Sequence, residues 1–172
     1  MNAALDAWNR ADETTAFDAM IACCGAKRWA SAMVALRPIG SVAELSEAAD
    51  RVWSTMTEAD WMEAFGCHPR IGERPPRRIA HAVAKSDAWS KQEQGSAATA
   101  SENILAEISE GNARYEQLYG FTYIVCATGK SAEEMLAILK RRLNSAREAE
   151  LREAAEQQRQ ITQIRLGKWL VE

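Results

Sequence analysis

Gly120-Phe121-Thr122-Tyr123-Ile124-Val125-Cys126-Ala127-Thr128-Gly129 decides the fold class. Aromatic and β-branched side chains crowd together there between glycines, which is strand composition. The chain holds no second convincing strand to pair with it. A lone strand leaves its N–H and C=O groups without a ladder, and buried backbone groups need partners. The run is therefore expected to be a buried, extended segment inside a helical protein, with its backbone bonded to something other than a sheet.

Helical periodicity surrounds it. Ala132, Met135, Leu136, Leu139 and Leu143 form a stripe behind Ser131 and Glu134, which spell a capping box. Val42, Leu45, Ala49 and Val52 do the same behind Ser41 and Glu44. Phe17, Met20, Ile21 and Cys24 fall at i, i+3, i+4 and i+7, and Trp61 and Phe65 repeat behind Thr57. From Asn144 to about Leu170 there is no proline, and Leu151, Ala155, Ile161, Ile164 and Leu166 mark one long helix. The expectation is an all-α, single-domain helical bundle with one extended buried segment. At 172 residues, the chain is the size of one domain, so residues 1–172 are read as a single unit.

The last helix also bears on assembly. About 25 residues at about 1.5 Å each span about 38 Å, longer than a small domain of about 30 Å. Part of its apolar face, with Trp169 and Leu170, is then expected to project and to be covered by a second copy in a homodimer, the commonest closed oligomer.

Composition removes several function classes. Lys+Arg 21 against Asp+Glu 24 gives a net charge of −3, so there is no basic excess to suggest nucleic acid as a partner. No apolar run approaches the roughly 18 residues of a membrane span. Hydrophobic residues make up 47%, too many for a disordered chain. The N-terminal stretch is interrupted by Asp6, Arg10, Asp12 and Glu13, unlike a signal-peptide core. A cytoplasmic location is expected, with Cys23, Cys24, Cys67 and Cys126 reduced, since none forms a CxxC.

Three places can carry chemistry. Gly66-Cys67-His68-Pro69-Arg70-Ile71-Gly72-Glu73-Arg74-Pro75-Pro76 holds three of the four prolines and must be a loop. Pro69 drives His68 out of helical φ/ψ. His68 is thus a stiffly held imidazole whose ordinary pKa of about 6.5 suits acid/base work. The other histidine, His81, reads as a helical, solvated or partly packed ring. Arg70, Arg74, Arg77 and Arg78 can hold an anion or simply form ion pairs. Cys67 neighbours His68 but points the other way in an extended loop. Two distant histidines make a poor metal site, and no metal is expected. The second place is Ser90-Lys91-Gln92-Glu93-Gln94-Gly95. If a helix starts at Ser90, then Ser90, Glu93 and Gln94 share a face, but S-x-x-E is also a capping box. The third is the extended segment itself.

In these motifs the sequence resembles the 2-oxo-4-hydroxy-4-carboxy-5-ureidoimidazoline (OHCU) decarboxylase family. Arg28-Trp29 and Arg37-Pro38 resemble its early landmarks. His68-Pro69-Arg70-Ile71-Gly72 matches the bacterial form of its HP motif, and Ser90-x-x-Glu93-Gln94-Gly95 its SxxEQ-G motif. Asn112-x-x-Tyr115, Tyr119-Gly120-Phe121, Ile124-Val125-Cys126-Ala127 and Ser131-Ala132-Glu133-Glu134 follow in the family's order. The resemblance implies an all-α, commonly dimeric enzyme that needs no cofactor and takes a small-molecule substrate. It implies that His68 is the catalytic acid/base, with Glu93 beside it. Pro69, the Ser90 to Gln94 segment, Tyr123 and Val125 would line the pocket. The implied reaction converts OHCU to (S)-allantoin and CO2 in uric acid oxidation. Several relatives carry arginine just after the FVICA stretch, where this chain has Thr128 and Lys130, so Lys130 or Arg165 becomes the candidate charged contact. The competing readings are a non-catalytic helical interaction protein and a ureide hydrolase using His68, Glu93 and a water.

Overall fold

A computed structural model describes residues 2–71, 81–95 and 101–171, with the side chains of 81–84 excepted. The described residues form nine helices and no strand. These are α1 (Ala3–Arg10), α2 (Glu13–Cys24), α3 (Lys27–Ala35), α4 (Val42–Trp53), α5 (Glu58–Phe65), α6 (His81–Glu93), α7 (Glu102–Tyr119), α8 (Ala132–Arg142) and α9 (Arg147–Trp169). The chain is all-α, as its periodicity requires.

The caps explain where several helices begin. At α8, Ser131 Oγ accepts from the Glu134 N–H at 3.1 Å, and Glu134 Oε2 accepts from the Ser131 N–H at 2.7 Å. That reciprocal box satisfies two otherwise orphaned donors. At α4 the box is half made. Ser41 Oγ accepts from the Glu44 N–H at 3.1 Å, but the Glu44 carboxylate reaches past Ser41 to the Gly40 N–H at 2.8 Å. Glycine at 111 has a packing reason, because a Cβ there would stand 2.6 Å from Leu139 Cδ2. Its absence lets α7 and α8 close together.

α9 is the pillar of the fold. It lies against α2, α4, α5 and α7. At 23 residues, it is about 35 Å long. Leu151, Ala155, Ile161, Leu166 and Trp169 are all buried in their own chain. Trp169 packs edge-on to Trp8, ring centroids 6.1 Å apart, and Trp53 Nε1 donates to the Ala155 carbonyl at 3.1 Å. This corrects the expectation of a projecting apolar face. The N-terminal helix α1 folds back over the end of α9, so the length of α9 gives no reason for a second copy. The same helix buries polar residues on one side: Gln158, Thr162 and Arg165 are each at most 4% exposed. Their i, i+4, i+7 spacing places them on one face.

The extended segment behaves as expected. Phe121 and Tyr123 to Ala127 are all buried. Gly120, in the left-handed region at φ 80°, ends α7 and turns the chain into the segment. Side chains, not a sheet, take up its backbone. Arg142 Nη1 donates to the Ile124 carbonyl at 2.6 Å. The Cys126 N–H donates to Gln157 Oε1 at 2.8 Å, and Lys130 Nζ donates to the Cys126 carbonyl at 2.7 Å. Arg142 is itself buried in an ion pair with Glu150, which also accepts from the Tyr115 hydroxyl. Burial, with the Glu150 bond added, pushes the Tyr115 phenol well above its usual range, so it remains a donor. The guanidinium stacks within 5.0 Å of the Tyr123 ring centroid. The rings of Tyr119, Phe121 and Tyr123 meet Tyr115 edge-on.

Candidate functional site

Three separate parts of the chain meet at one cleft. His68, Pro69 and Ile71 come from the loop after α5. Ser90, Glu93 and Gln94 come from the end of α6, and Tyr123, Ile124, Val125 and Ala127 from the extended segment. Ile161 of α9 also lines the cleft. The cleft is narrow and open to solvent at its mouth. His68, Pro69, Ser90, Glu93, Gln94, Tyr123 and Val125, all singled out in the sequence, therefore lie on its wall, while Lys91 and Gln92 of the Ser90 to Gln94 segment do not.

His68 is held by its local fold. The chain leaves α5 in a tight turn, with the Cys67 N–H bonded to the Ala64 carbonyl and the His68 N–H to the Phe65 carbonyl. Arg70 forks onto Glu116 of α7, Nε to Oε1 at 2.8 Å, and pins the far side of the loop. Arg70 is thus engaged in an ion pair. Arg74, Arg77 and Arg78 lie outside the described residues, as does the side chain of His81. Cys67 directs its sulphur to the carbonyls of Gly25 and Glu63, away from the cleft. The His68 ring meets Gln158 of α9, Nε2 to Oε1 at 2.7 Å.

The electrostatics of His68 follow from its neighbours. Burial first, and the Arg165 cation second, disfavour the imidazolium and push its pKa down to about 3. The bond to Gln158 acts weakly the other way. The ring is neutral at physiological pH, so it enters the cleft as a base. This carries a stability consequence. Below the unfolded value of about 6.5, the unfolded chain takes up a proton at this ring that the native chain refuses. His68 must therefore cost stability progressively as pH falls from about 6.5 toward 3, and cost nothing above 6.5. The check is urea unfolding of wild type and His68→Asn between pH 7 and 4. The wild type is expected to lose more stability on acidification. Parallel curves would contradict the depressed pKa.

Glu93 has a different role from the one its spacing suggests. α6 runs from His81 to Glu93, so Ser90 and Glu93 sit in its last turn and no helix begins at Ser90. The capping-box alternative is removed. The Glu93 carboxylate, 8% exposed, faces Arg165, which is 1% exposed. Arg165 Nε and Nη2 reach Glu93 Oε1 and Oε2 at 3.2 and 3.0 Å, and Lys168 Nζ reaches Oε1 at 3.2 Å. Arg165 also donates to Ser90 Oγ at 2.9 Å and to Ser86 Oγ at 3.1 Å. One buried guanidinium thus aligns the hydroxyl and the carboxylate that line the cleft.

Of the two candidate charged contacts, neither reaches the cleft wall. Arg165 stands behind Glu93, and Lys130 is turned onto the Cys126 carbonyl. Tyr123 lines the cleft with its ring and backbone only, because its hydroxyl donates to the Met135 carbonyl at 3.2 Å. The Val125 N–H and C=O, like those of Tyr123, form no hydrogen bond among the described residues. Sequence reading missed Gln158, Gln157 and Arg142, all of which orient this wall. For Gln157 and Gln158 the available signal was polar residues in register with the apolar stripe of α9, a pattern that ordinarily marks a solvent face; Arg142 closes α8.

Comparison with known proteins agrees with this geometry. The family model described as OHCU decarboxylase matches residues 9–167. The uric acid degradation bifunctional protein TTL of Arabidopsis thaliana is 37% identical over 147 residues, 85% of this chain. The match covers only 44% of that protein, so this chain spans under half of that relative. A 2-oxo-4-hydroxy-4-carboxy-5-ureidoimidazoline decarboxylase of Amia calva is 26% identical over 80% of this chain and 77% of its own length. Among solved structures, a crystal structure of OHCU decarboxylase in the presence of (S)-allantoin superimposes with a TM-score of 0.76. It is 32% identical and covers 90% of this chain and 99% of its own. A family match across nearly the whole chain, with the motif residues gathered at one cleft, means that this chain belongs to the OHCU decarboxylase family.

Proposed function

We propose that this protein decarboxylates OHCU to (S)-allantoin and CO2 without a cofactor. The observation that carries this reading is the convergence of His68, Glu93 and the unbonded Val125 backbone on one cleft. The substrate brings its own electron sink, an imine adjacent to the carboxyl-bearing carbon. When the C–CO2 bond breaks, its electron pair moves into that imine, as it would into the carbonyl of a β-keto acid. One proton must then be returned to carbon on a single face.

The residues fit those tasks. Neutral His68 takes the substrate hydroxyl proton or manages its delivery, and needs hydrogen-bond reach to do so. Glu93, immobilised by Arg165 and Lys168, hydrogen-bonds the ring and fixes which face is protonated. Two cations against one carboxylate leave this cluster with a net charge of +1, which suits an anionic substrate. Pro69, Ser90, Gln94, Tyr123 and Val125 bound the substrate, with the Val125 N–H and C=O available to its ureide edges. Shedding the solvation of the carboxylate in a narrow cleft favours the loss of neutral CO2.

The whole chain, residues 1–172, acts as one such domain on this reading. The family resemblance also supports a homodimer, and a cytoplasmic location is part of this reading; light scattering reads the mass, and about twice 19 kDa is expected. The catalytic test is stoichiometry. Freshly generated substrate should yield one CO2 per molecule consumed, with no ammonia. Ureide hydrolysis without CO2 would instead establish the competing hydrolase that uses His68, Glu93 and water.

A further inference from the structure

Gln158 is completely buried on α9, at 0% exposure. No solvent reaches its amide, so the protein alone decides which way it faces. Its Nε2 lies 3.2 Å from the Cys24 carbonyl and 3.2 Å from Thr162 Oγ1. A carbonyl can only accept. The single Thr162 hydroxyl proton is already given to the Gln158 main-chain carbonyl at 3.0 Å, so Oγ1 presents lone pairs to the amide. Both neighbours on that side are acceptors, and the NH2 group must face them. Rotating the amide by 180° would set its oxygen against two acceptors and leave two buried groups without donors.

The amide oxygen therefore faces His68, at 2.7 Å from Nε2. An amide oxygen only accepts, so Nε2 must supply the hydrogen. We infer that Gln158 is a positioning residue that fixes His68 as the Nε2–H tautomer and leaves Nδ1 as the basic nitrogen. A neutral imidazole carries one N–H, and here it is committed to the protein interior. Nδ1 forms no hydrogen bond among the described residues, so it is the ring atom free to take a substrate proton. The relay runs from the α2 C-terminus, through the Cys24 carbonyl and Gln158, to His68. The catalytic meaning of this tautomer rests on the decarboxylase reading. The tautomer itself does not.

The test is 15N NMR of protein labelled in histidine, with His81→Gln used to remove the second ring. At neutral pH the wild type should show one tautomer, with a pyrrole-type Nε2 and a pyridine-type Nδ1. A pyridine-type Nε2 in the wild type would overturn the inference outright. Gln158→Leu removes the acceptor, and its His68 signals should move toward a tautomer average while kcat falls about tenfold. Gln158→Glu, protonated on the oxygen that meets the Cys24 carbonyl, keeps an acceptor toward Nε2 and should restore the pure Nε2–H signature. A pure Nε2–H ring persisting in folded Gln158→Leu would show that something else sets the tautomer. A wild type with the expected tautomer but no decarboxylation would sink the proposed function and leave this inference standing.

Discussion

His68→Ala is expected to lower turnover by about 10²–10⁴-fold, the usual weight of a positioned acid/base. Among the described residues, the imidazole is the cleft's one ring with a free nitrogen lone pair at neutral pH. The substitution also has a structural side. It strips Gln158 Oε1 of its partner in a fully buried position, at a cost of about 1–3 kcal/mol. Turnover must therefore be measured where unfolding curves show the variant fully folded. Under those conditions a deficit confined to KM would assign His68 to binding, and wild-type kcat would remove its acid/base role.

Glu150→Ala should be among the most destabilising single substitutions, at about 3–5 kcal/mol. Glu150 is 1% exposed and receives Arg142 Nε at 2.6 Å together with the Tyr115 hydroxyl. Removing it leaves a buried guanidinium unpaired, in a protein whose total stability is of order 5–15 kcal/mol. The effect should reach the cleft, because the same Arg142 holds the Ile124 carbonyl and so the wall that carries Val125. Urea unfolding measures the loss. The exposed pair between Lys140 and Glu107 is the control, where Glu107→Ala should cost under about 1 kcal/mol. Equal losses at the two sites would mean that the Arg142 pair does not secure the segment.

The fold class and the site positions were legible for different reasons. A single strand-like run at Phe121 to Ala127 could not make a sheet, and its backbone indeed ends on Arg142, Gln157 and Lys130. Two irregular stretches and the polar run at Ser90 to Gln94 stood out against regular periodicity, and all three contribute to the cleft. What misled was local chemistry without its tertiary setting. Ser90 and Glu93 carry the letters of a helix start, yet they close α6, because a buried arginine 72 residues beyond Glu93 supplies their partners. The length of α9 suggested a projecting face, but α1 and the neighbouring helices cover it. Gln158 does not stand out in a polar stretch of helix, and Arg165 stands out there only as a candidate charged contact. Their burial becomes visible only when α9 is seen to be surrounded. Hydrophobic periodicity locates cores, and a buried polar stripe that serves a site looks in sequence like an exposed one.

The central claim is that this cleft directs decarboxylation and protonates one face of the product. Circular dichroism of freshly generated uric acid oxidation intermediate tests it most directly. With the protein present, the account predicts rapid formation of (S)-allantoin alone. A time course that matches buffer and ends in racemic allantoin would contradict it.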